Sequence, residues 1–392
     1  MPGTANSAVI ISIDRLNALM LPPYGNTLID TPCLNLLASE SLVFDFAISE
    51  SPDELGGLNS IWLGSHPLYK QSSHDGHITT LAYANVHTTL LTDSATVAES
   101  EAGSQFARVI NIETPNAEEL AASPAETWMA NFFAQALQAI ERMEAGELLW
   151  IHCNGLAGPW DAPMDFRASL ADPEDPPPLV SSIPPIGTYD VGEDSPDKLL
   201  GFHQACLGQV MLIDEFLGVL MDAIRNRPDT LLGLLSTRGY PLGEHGTIGD
   251  PLNLHCESVH VPLMIRYPEH QLTAARMPQL QSVRILGDAL AAWFSDDQAA
   301  LNSSSGRHHL DSFVVSTLDE SIAIQTTAWK LIRDANQSRL YAKPDDRWEV
   351  NDVIDRCPQI APLIEALLDE AITQLKSSGS SDLRINDELK AN

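Results

Sequence analysis

Residues 8–14 read Ala-Val-Ile-Ile-Ser-Ile-Asp, followed by Arg15-Leu16. Five apolar residues rich in Val and Ile, in a run this short, specify a strand buried on both faces rather than one face of a helix. A strand of that kind belongs at the centre of a largely parallel sheet covered by helices. The run stops at Asp14, so a carboxylate stands at the carboxyl end of a central strand. Ligands of open α/β sheets bind at that edge, which makes Asp14 the first candidate site residue.

The rest of the chain supplies the partners such a strand needs. Leu42–Ala47 alternates as a strand, His87–Thr92 and Ala107–Asn111 read as successive parallel strands, and Leu148–His152, Thr230–Ser236 and Val261–Arg266 are further strand segments. Helices are expected after Thr31-Pro32, over 125–144 with Trp128, Phe132, Phe133, Ala136 and Ile140 on one face, over 197–225 and over 279–295. Ser51-Pro52-Asp53-Glu54 reads as a helix start with a Ser51/Glu54 capping box. Residues 157–187, with Pro176-Pro177-Pro178 and Pro184-Pro185, form an irregular surface excursion. Ser303-Ser304-Ser305-Gly306 reads as a linker, and four short strands and a helix at 358–376 follow it. The expected architecture is a doubly wound, mostly parallel α/β domain over 1–300 and a small antiparallel-sheet subdomain over 301–392.

Charge narrows the range of partners. The chain carries 53 acidic and 22 basic residues, a formal −31. Nucleic acid and anionic membrane both require a basic surface and are not expected partners. The five cysteines are scattered without a CxxC pair, so neither a disulfide framework nor a zinc knuckle is indicated. No apolar run reaches membrane-spanning length, and the N-terminal segment lacks the basic start of a signal peptide. A cytoplasmic location is the expectation.

The order of the polar signals resembles the sulfatase family of the alkaline phosphatase superfamily. The landmarks are Ile13-Asp14, Tyr24-Gly25-Asn26, Thr31-Pro32-Cys33-Leu34-Asn35-Leu36-Leu37, Ser60–Pro67 around Gly64, Gly239–Gly246, Glu257–Leu263, and Trp329-Lys330-Leu331-Ile332. The resemblance implies a hydrolase of sulfate or phosphate monoesters. In that family a divalent cation, usually calcium, sits among strand-end carboxylates and helps activate a formylglycine, Thr or Ser nucleophile.

Position by position, the resemblance also implies that this set is degenerate. The family's acidic pair is reduced to Asp14 followed by Arg15. Counting ten residues back from Gly64 places the nucleophile on Glu54, its Pro on Gly56 and its Arg on Leu58. No Cys, Ser or Thr stands there, so formylglycine cannot form, and Glu54 is left as a carboxylate nucleophile or a helix cap. The family's Ser-Asp-His-Gly reads Ser236-Thr237-Arg238-Gly239. The loop His falls on Ala157, and the later Lys on Asp250 or Pro251. His245 in the retained Gly243-Glu244-His245-Gly246 serves backbone geometry or touches a ligand.

A hard divalent cation takes about six to eight oxygen ligands, mostly carboxylate. Asp14 and Glu54 face Arg15 and Arg238 instead, so the expectation is no bound metal, with Arg238 and Arg15 pairing Asp14. Calcium enters only if the site is functional after all. His152 and His203 read as core histidines, His308-His309 as no zinc site by itself, and Lys330 as facing the cleft or solvent. The leading reading is a sulfatase-like protein without sulfatase activity, binding a small anion or a sulfate or phosphate ester through Asp14, Arg15, Thr237 and Arg238, or serving as a scaffold. The alternatives are an active ester hydrolase with a relocated set drawn from Glu54, Asp53 and His245, and an interaction module that takes a protein partner or forms an oligomer.

Overall fold

A computed structural model describes residues 6–70, 76–114, 117–190, 195–227, 229–250, 252–268, 271–295, 312–381 and 383–390. Its strands are β1 (Ser7–Ile13), β2 (Leu42–Ile48), β3 (His87–Thr92), β4 (Arg108–Asn111), β5 (Glu147–Cys153), β6 (Gly187–Thr188), β7 (Thr230–Leu235), β8 (Thr247–Ile248), β9 (His260–Val261), β10 (Leu263–Arg266), β11 (Ala275–Ser282), β12 (Phe313–Leu318), β13 (Ser321–Thr326), β14 (Trp329–Arg333) and β15 (Ser338–Ala342). The α-helices are α1 (Pro32–Ser39), α2 (Gly56–Leu63), α3 (His77–Tyr83), α4 (Ala95–Glu99), α5 (Trp128–Arg142), α6 (Met164–Ala168), α7 (Pro196–Arg225), α8 (Cys256–Val259), α9 (Ile285–Phe294) and α10 (Ala361–Ser378).

The large sheet runs β11-β2-β10-β7-β1-β5-β3-β4. Strands β7, β1, β5, β3 and β4 are mutually parallel, and β10 reverses direction between β7 and β2. β1 lies at the centre with all seven residues buried. Its alternating side chains divide between the two faces. Val9, Ile11 and Ile13 pack with α1, α5 and α7, while Ala8 and Ile10 pack with α2, α3 and α9. A strand covered by helices on both sides has no polar face, which is why its sequence is a continuous apolar run.

The antiparallel sheet β12-β13-β14-β15 rests one face on α10. Its other face carries Val314, Ala323, Ile332 and Tyr341 onto Ile48, Leu254, Val259 and Leu280 of the large domain. Thr317 N–H donates to Glu50 O (2.9 Å) and Ser316 Oγ to Ser49 O (2.6 Å) across the same junction. The Ser303–Gly306 linker, His308-His309 and the 300/301 boundary lie outside the described residues.

Three local expectations are corrected. The helix expected over 279–295 begins only at Ile285, because 275–282 form β11 along the edge of β2, with a bulge between Met277 and Leu280. Pairing with an open sheet edge outweighs local helix propensity there. The Val261–Arg266 strand divides at Pro262, which has no N–H for the ladder. The Ser51/Glu54 capping box does not form. Helix α2 starts at Gly56, where Asp53 Oδ1 accepts from the N–H groups of Leu55 (2.9 Å) and Gly56 (2.7 Å), and Ser51 Oγ donates to Asp53 Oδ2.

The 157–187 excursion is mostly irregular, as expected, but it is tied down. The fully buried Arg167 of α6 donates to the carbonyls of Trp160, Leu179 and Ser181. β6 then pairs with β8 next to the Gly243–Gly246 turn.

Candidate strand-end site

Asp14 closes β1 where the sheet's carboxyl edge meets the loops after β5 and β7. Its N–H donates to Cys153 O (2.8 Å), and its carbonyl accepts from Leu156 N–H (3.0 Å). Gly155 makes this approach feasible. It sits at φ +52°, and a Cβ there would lie 2.7 Å from Asp14 O and 2.6 Å from Ile13 Cγ2. The strand-end Asp is thus held between two tight loops.

Arg238 reaches Asp14 from the turn after β7. Its Nε donates to Asp14 Oδ1 at 2.7 Å and its Nη2 to Oδ2 at 2.6 Å, a two-pronged, side-on pair. Both side chains are buried, with 1% and 9% of their surface exposed. Burial alone would push the Asp14 carboxyl up, but the Arg238 guanidinium, its hydrogen bonds and the nearby Arg15 hold it below the usual carboxylate range. Burial likewise works against the Arg238 charge, and Asp14 more than offsets it. Each ion is thus charged because of the other.

Arg15 does not join that pair. Its backbone is left-handed (φ +62°), which turns the side chain away to Asp250 Oδ2 at 2.7 Å, with the guanidinium carbon 5.4 Å from the Tyr240 ring centre. Its Nε is buried without a hydrogen-bond partner. Thr237 is buried, and a Cβ on Gly57 would come within 2.6 Å of its Cβ, so α2 packs directly on this turn. Glu54 is half-buried beside it, accepts from Ser94 Oγ at 2.5 Å, and lies near enough to Arg238 to favour the guanidinium charge.

Two further polar groups at this edge carry roles the sequence reading missed or misjudged. Asp93, just past the end of β3, is 8% exposed. Its Oδ1 accepts from Asn154 N–H (2.7 Å), and its Oδ2 has no partner. Burial pushes its carboxyl up to about 7, with the neighbouring Asp14 charge adding to the effect. Asp93, like Asp14, directly follows a parallel strand, but that strand reads His-Thr-Thr-Leu-Leu-Thr and gives a weaker signal than the apolar run before Asp14. His152, read as a satisfied core residue, is satisfied on one side only. Nδ1 meets Ser12 Oγ at 2.9 Å, while Nε2 is unpartnered, and burial brings the ring down to about 4, so it is neutral at physiological pH. His203 does find a partner, Leu242 O at 3.1 Å.

His245 and Lys330 belong to a second cluster, where the large domain meets the small sheet. His245 Nδ1 faces Glu257 Oε1 and Nε2 faces Glu349 O, both at 2.9 Å. Both partners only accept, so both ring nitrogens carry protons and the ring is an imidazolium. Burial opposes that charge, but Glu257 raises the His245 pKa above its ordinary value. The His255 ring stacks on it at 3.5 Å between centroids, with Nδ1 against Glu349 Oε2 at 3.1 Å. Lys330 does not face cleft or solvent. It is 1% exposed, and its Nζ donates to both oxygens of the fully enclosed Glu349 at 2.9 and 3.1 Å. Lys343 Nζ lies 2.8 Å from Oε1 of the same carboxylate. Glu349 sits at φ +58° in an irregular stretch, and no periodic pattern marks it in the sequence.

The strand-end residues do not fit the calcium that the resemblance implies. Asp14 has both carboxylate oxygens engaged by the Arg238 guanidinium, and Thr237 and Arg238 stand where the resemblance would place a second carboxylate and an imidazole. Among the described residues, no group of three or more His, Cys, Asp or Glu side chains is arranged to hold a metal ion. Nor is any described helix long and apolar enough to cross a membrane.

No family model matches the sequence, and no curated protein matches it. Solved structures do match the fold over nearly its whole length. The phosphonate monoester hydrolase of Agrobacterium radiobacter superposes with a TM-score of 0.74 at 13% identity, covering 96% of each chain. BT4656, solved with its substrate D-glucosamine-2-N,6-O-disulfate, gives 0.75 at 14% identity, covering 96% of this chain and 99% of its own. BT1596, a 2-O glycosaminoglycan sulfatase, gives 0.72 at 13% identity, covering 97% and 95%. With the mixed sheet and its appended four-stranded meander, these matches establish that this chain has the fold of these sulfatases and of the phosphonate monoester hydrolase.

Proposed function

We propose that this is a sulfatase-like protein whose strand-end site does not hydrolyse esters. One observation carries the reading, the side-on pair between Arg238 and Asp14. A guanidinium that occupies both oxygens of the retained carboxylate leaves no ligand for a divalent cation, and without the cation nothing polarises an ester. Glu54 is hydrogen-bonded to Ser94 and His245 is held at both nitrogens, so neither is free to take over as base or nucleophile. Tight small-anion binding at this edge is disfavoured, since Arg238 is matched by Asp14 and Arg15 by Asp250, with Glu54 close by. The five free cysteines fit a reducing, cytoplasmic setting.

The test is turnover of 4-nitrophenyl sulfate, phosphate and phenylphosphonate, with and without millimolar calcium. The expected result is a rate at background and no calcium heat in calorimetry. Turnover abolished by Asp14→Asn or Glu54→Gln would overturn the proposal.

A second reading, a protein-binding role for the excursion, is favoured by Val180, Ile183 and Ile186, which are 73, 70 and 69% exposed within one proline-rich stretch. Light scattering of the wild type and of a variant with all three changed to Ser tests it. A complex present only in the wild type supports it.

A further inference from the structure

A cavity of about 490 Å³ lies at the outer edge of the large sheet, between β2, β11 and the small subdomain. That volume is in the usual range for small-molecule sites. Its floor is aromatic. Phe46, in the body of β2, keeps 37% of its surface exposed, and its ring stacks on His260 with centroids 5.8 Å apart and planes 25° from parallel. His260 is fixed from behind, its Nε2–H donating to Asp45 O at 2.8 Å and its ring meeting Tyr24 edge-on. Ile48, Leu280 and Pro344 add apolar lining, and Pro278, at the bulge in β11, lines it as well. Bulges next to sheet edges commonly re-aim side chains in this way.

The charge at this cavity runs against that of the whole molecule. Three cations line it, Arg276, Lys343 and Arg347, with two carboxylates, Asp45 and Glu349. Arg276 Nε is bonded to Asp45 (2.8 Å), and Lys343 lies against Glu349 (2.8 Å). Arg347 faces neutral groups, donating from Nη2 to Tyr24 O at 3.0 Å and lying 5.4 Å from the Trp348 ring centre. It forms no ion pair among the described residues. One guanidinium is therefore left for an incoming anion, in a chain of net charge −31.

We propose that this cavity binds a flat aromatic carboxylate, its ring laid on Phe46 and its carboxylate on Arg347. Offset stacking supplies affinity for the ring, and a charge-assisted, two-pronged hydrogen bond supplies selection for the acid. The site shares no residue with the Asp14 edge and does not depend on whether that edge is silent.

Calorimetric titration of the full chain with 2-naphthoate and with its uncharged counterpart 2-naphthamide tests this. The acid should bind at least about tenfold more tightly than the amide, the scale of one hydrogen bond to a charged group. Arg347→Gln should bring the two affinities together without loss of thermal stability, since Arg347 is exposed. Phe46→Ala should weaken both by a similar factor. Absence of saturable naphthoate binding to the folded wild type overturns the proposal, as does equal binding of acid and amide or an Arg347→Gln variant that keeps the preference.

Discussion

Asp14 and Asp93 close β1 and β3, the two strands that flank β5, and the fold holds them in opposite states. Asp14 is ionised against Arg238. Asp93 is buried with one oxygen unpartnered, and its pKa of about 7 keeps it protonated across the acid range. An acid whose folded pKa exceeds its ordinary 3.8 contributes stability below that value and loses it as pH rises toward about 7. Between pH 5 and 8 the loss from Asp93 should be on the order of 2–4 kcal/mol. Asp93→Asn keeps an acceptor for Asn154 and removes the titration. Its melting temperature should therefore exceed that of the wild type at pH 8 by several degrees, and the gap should close as pH falls to about 4, where the ordinary carboxyl is itself protonated. A constant offset between the two curves would mean that Asp93 is charged in the fold. Asp14 lay open to sequence reading because it directly ends a short apolar run rich in Val and Ile. The Arg238 pair was foreseeable only from charge balance, and the turning of Arg15 to Asp250 not at all, because a left-handed backbone at residue 15 is a property of the packed loop.

Among elements, the junction of the small sheet with the large domain holds a dense network of buried charge. Glu349 takes Lys330, Lys343 and His255, and its carbonyl takes His245. Burial alone would raise the Glu349 carboxyl, yet these partners hold it far below the usual carboxylate range. Removing one member of a buried network leaves its partner's charge poorly compensated, at a cost of about 3–5 kcal/mol. Lys330→Met should therefore lower the unfolding free energy by about 3 kcal/mol in urea titration. Adding Glu349→Gln should return part of the loss, and a double variant no more stable than the single one would argue against direct coupling. Strands β12–β15 were readable from alternation and turn spacing. Strand β11 was not, since its apolar positions are irregular around the bulge and only the open edge of β2 makes it a strand.

For the whole molecule, the −31 charge is spread over a surface that repels itself. The buried pairs are screened little by salt, whereas surface repulsion beyond about 10 Å is largely removed at 0.1 M. Thermal stability at pH 7.5 should thus rise by several degrees between 20 mM and 500 mM sodium chloride. A flat or falling melting curve would place the dominant electrostatics in the favourable ion pairs.

By itself, the sequence determined the buried strands, the covering helices and the appended meander, because periodicity and residue identity are local properties. Tertiary structure alone decided where each charge went. Asp53 rather than Ser51 begins α2, Asp250 rather than Asp14 receives Arg15, and Lys330 turns inward to Glu349. Buried polar groups must find partners wherever packing brings them, and in this fold such partners lie as far as 286 residues away along the chain.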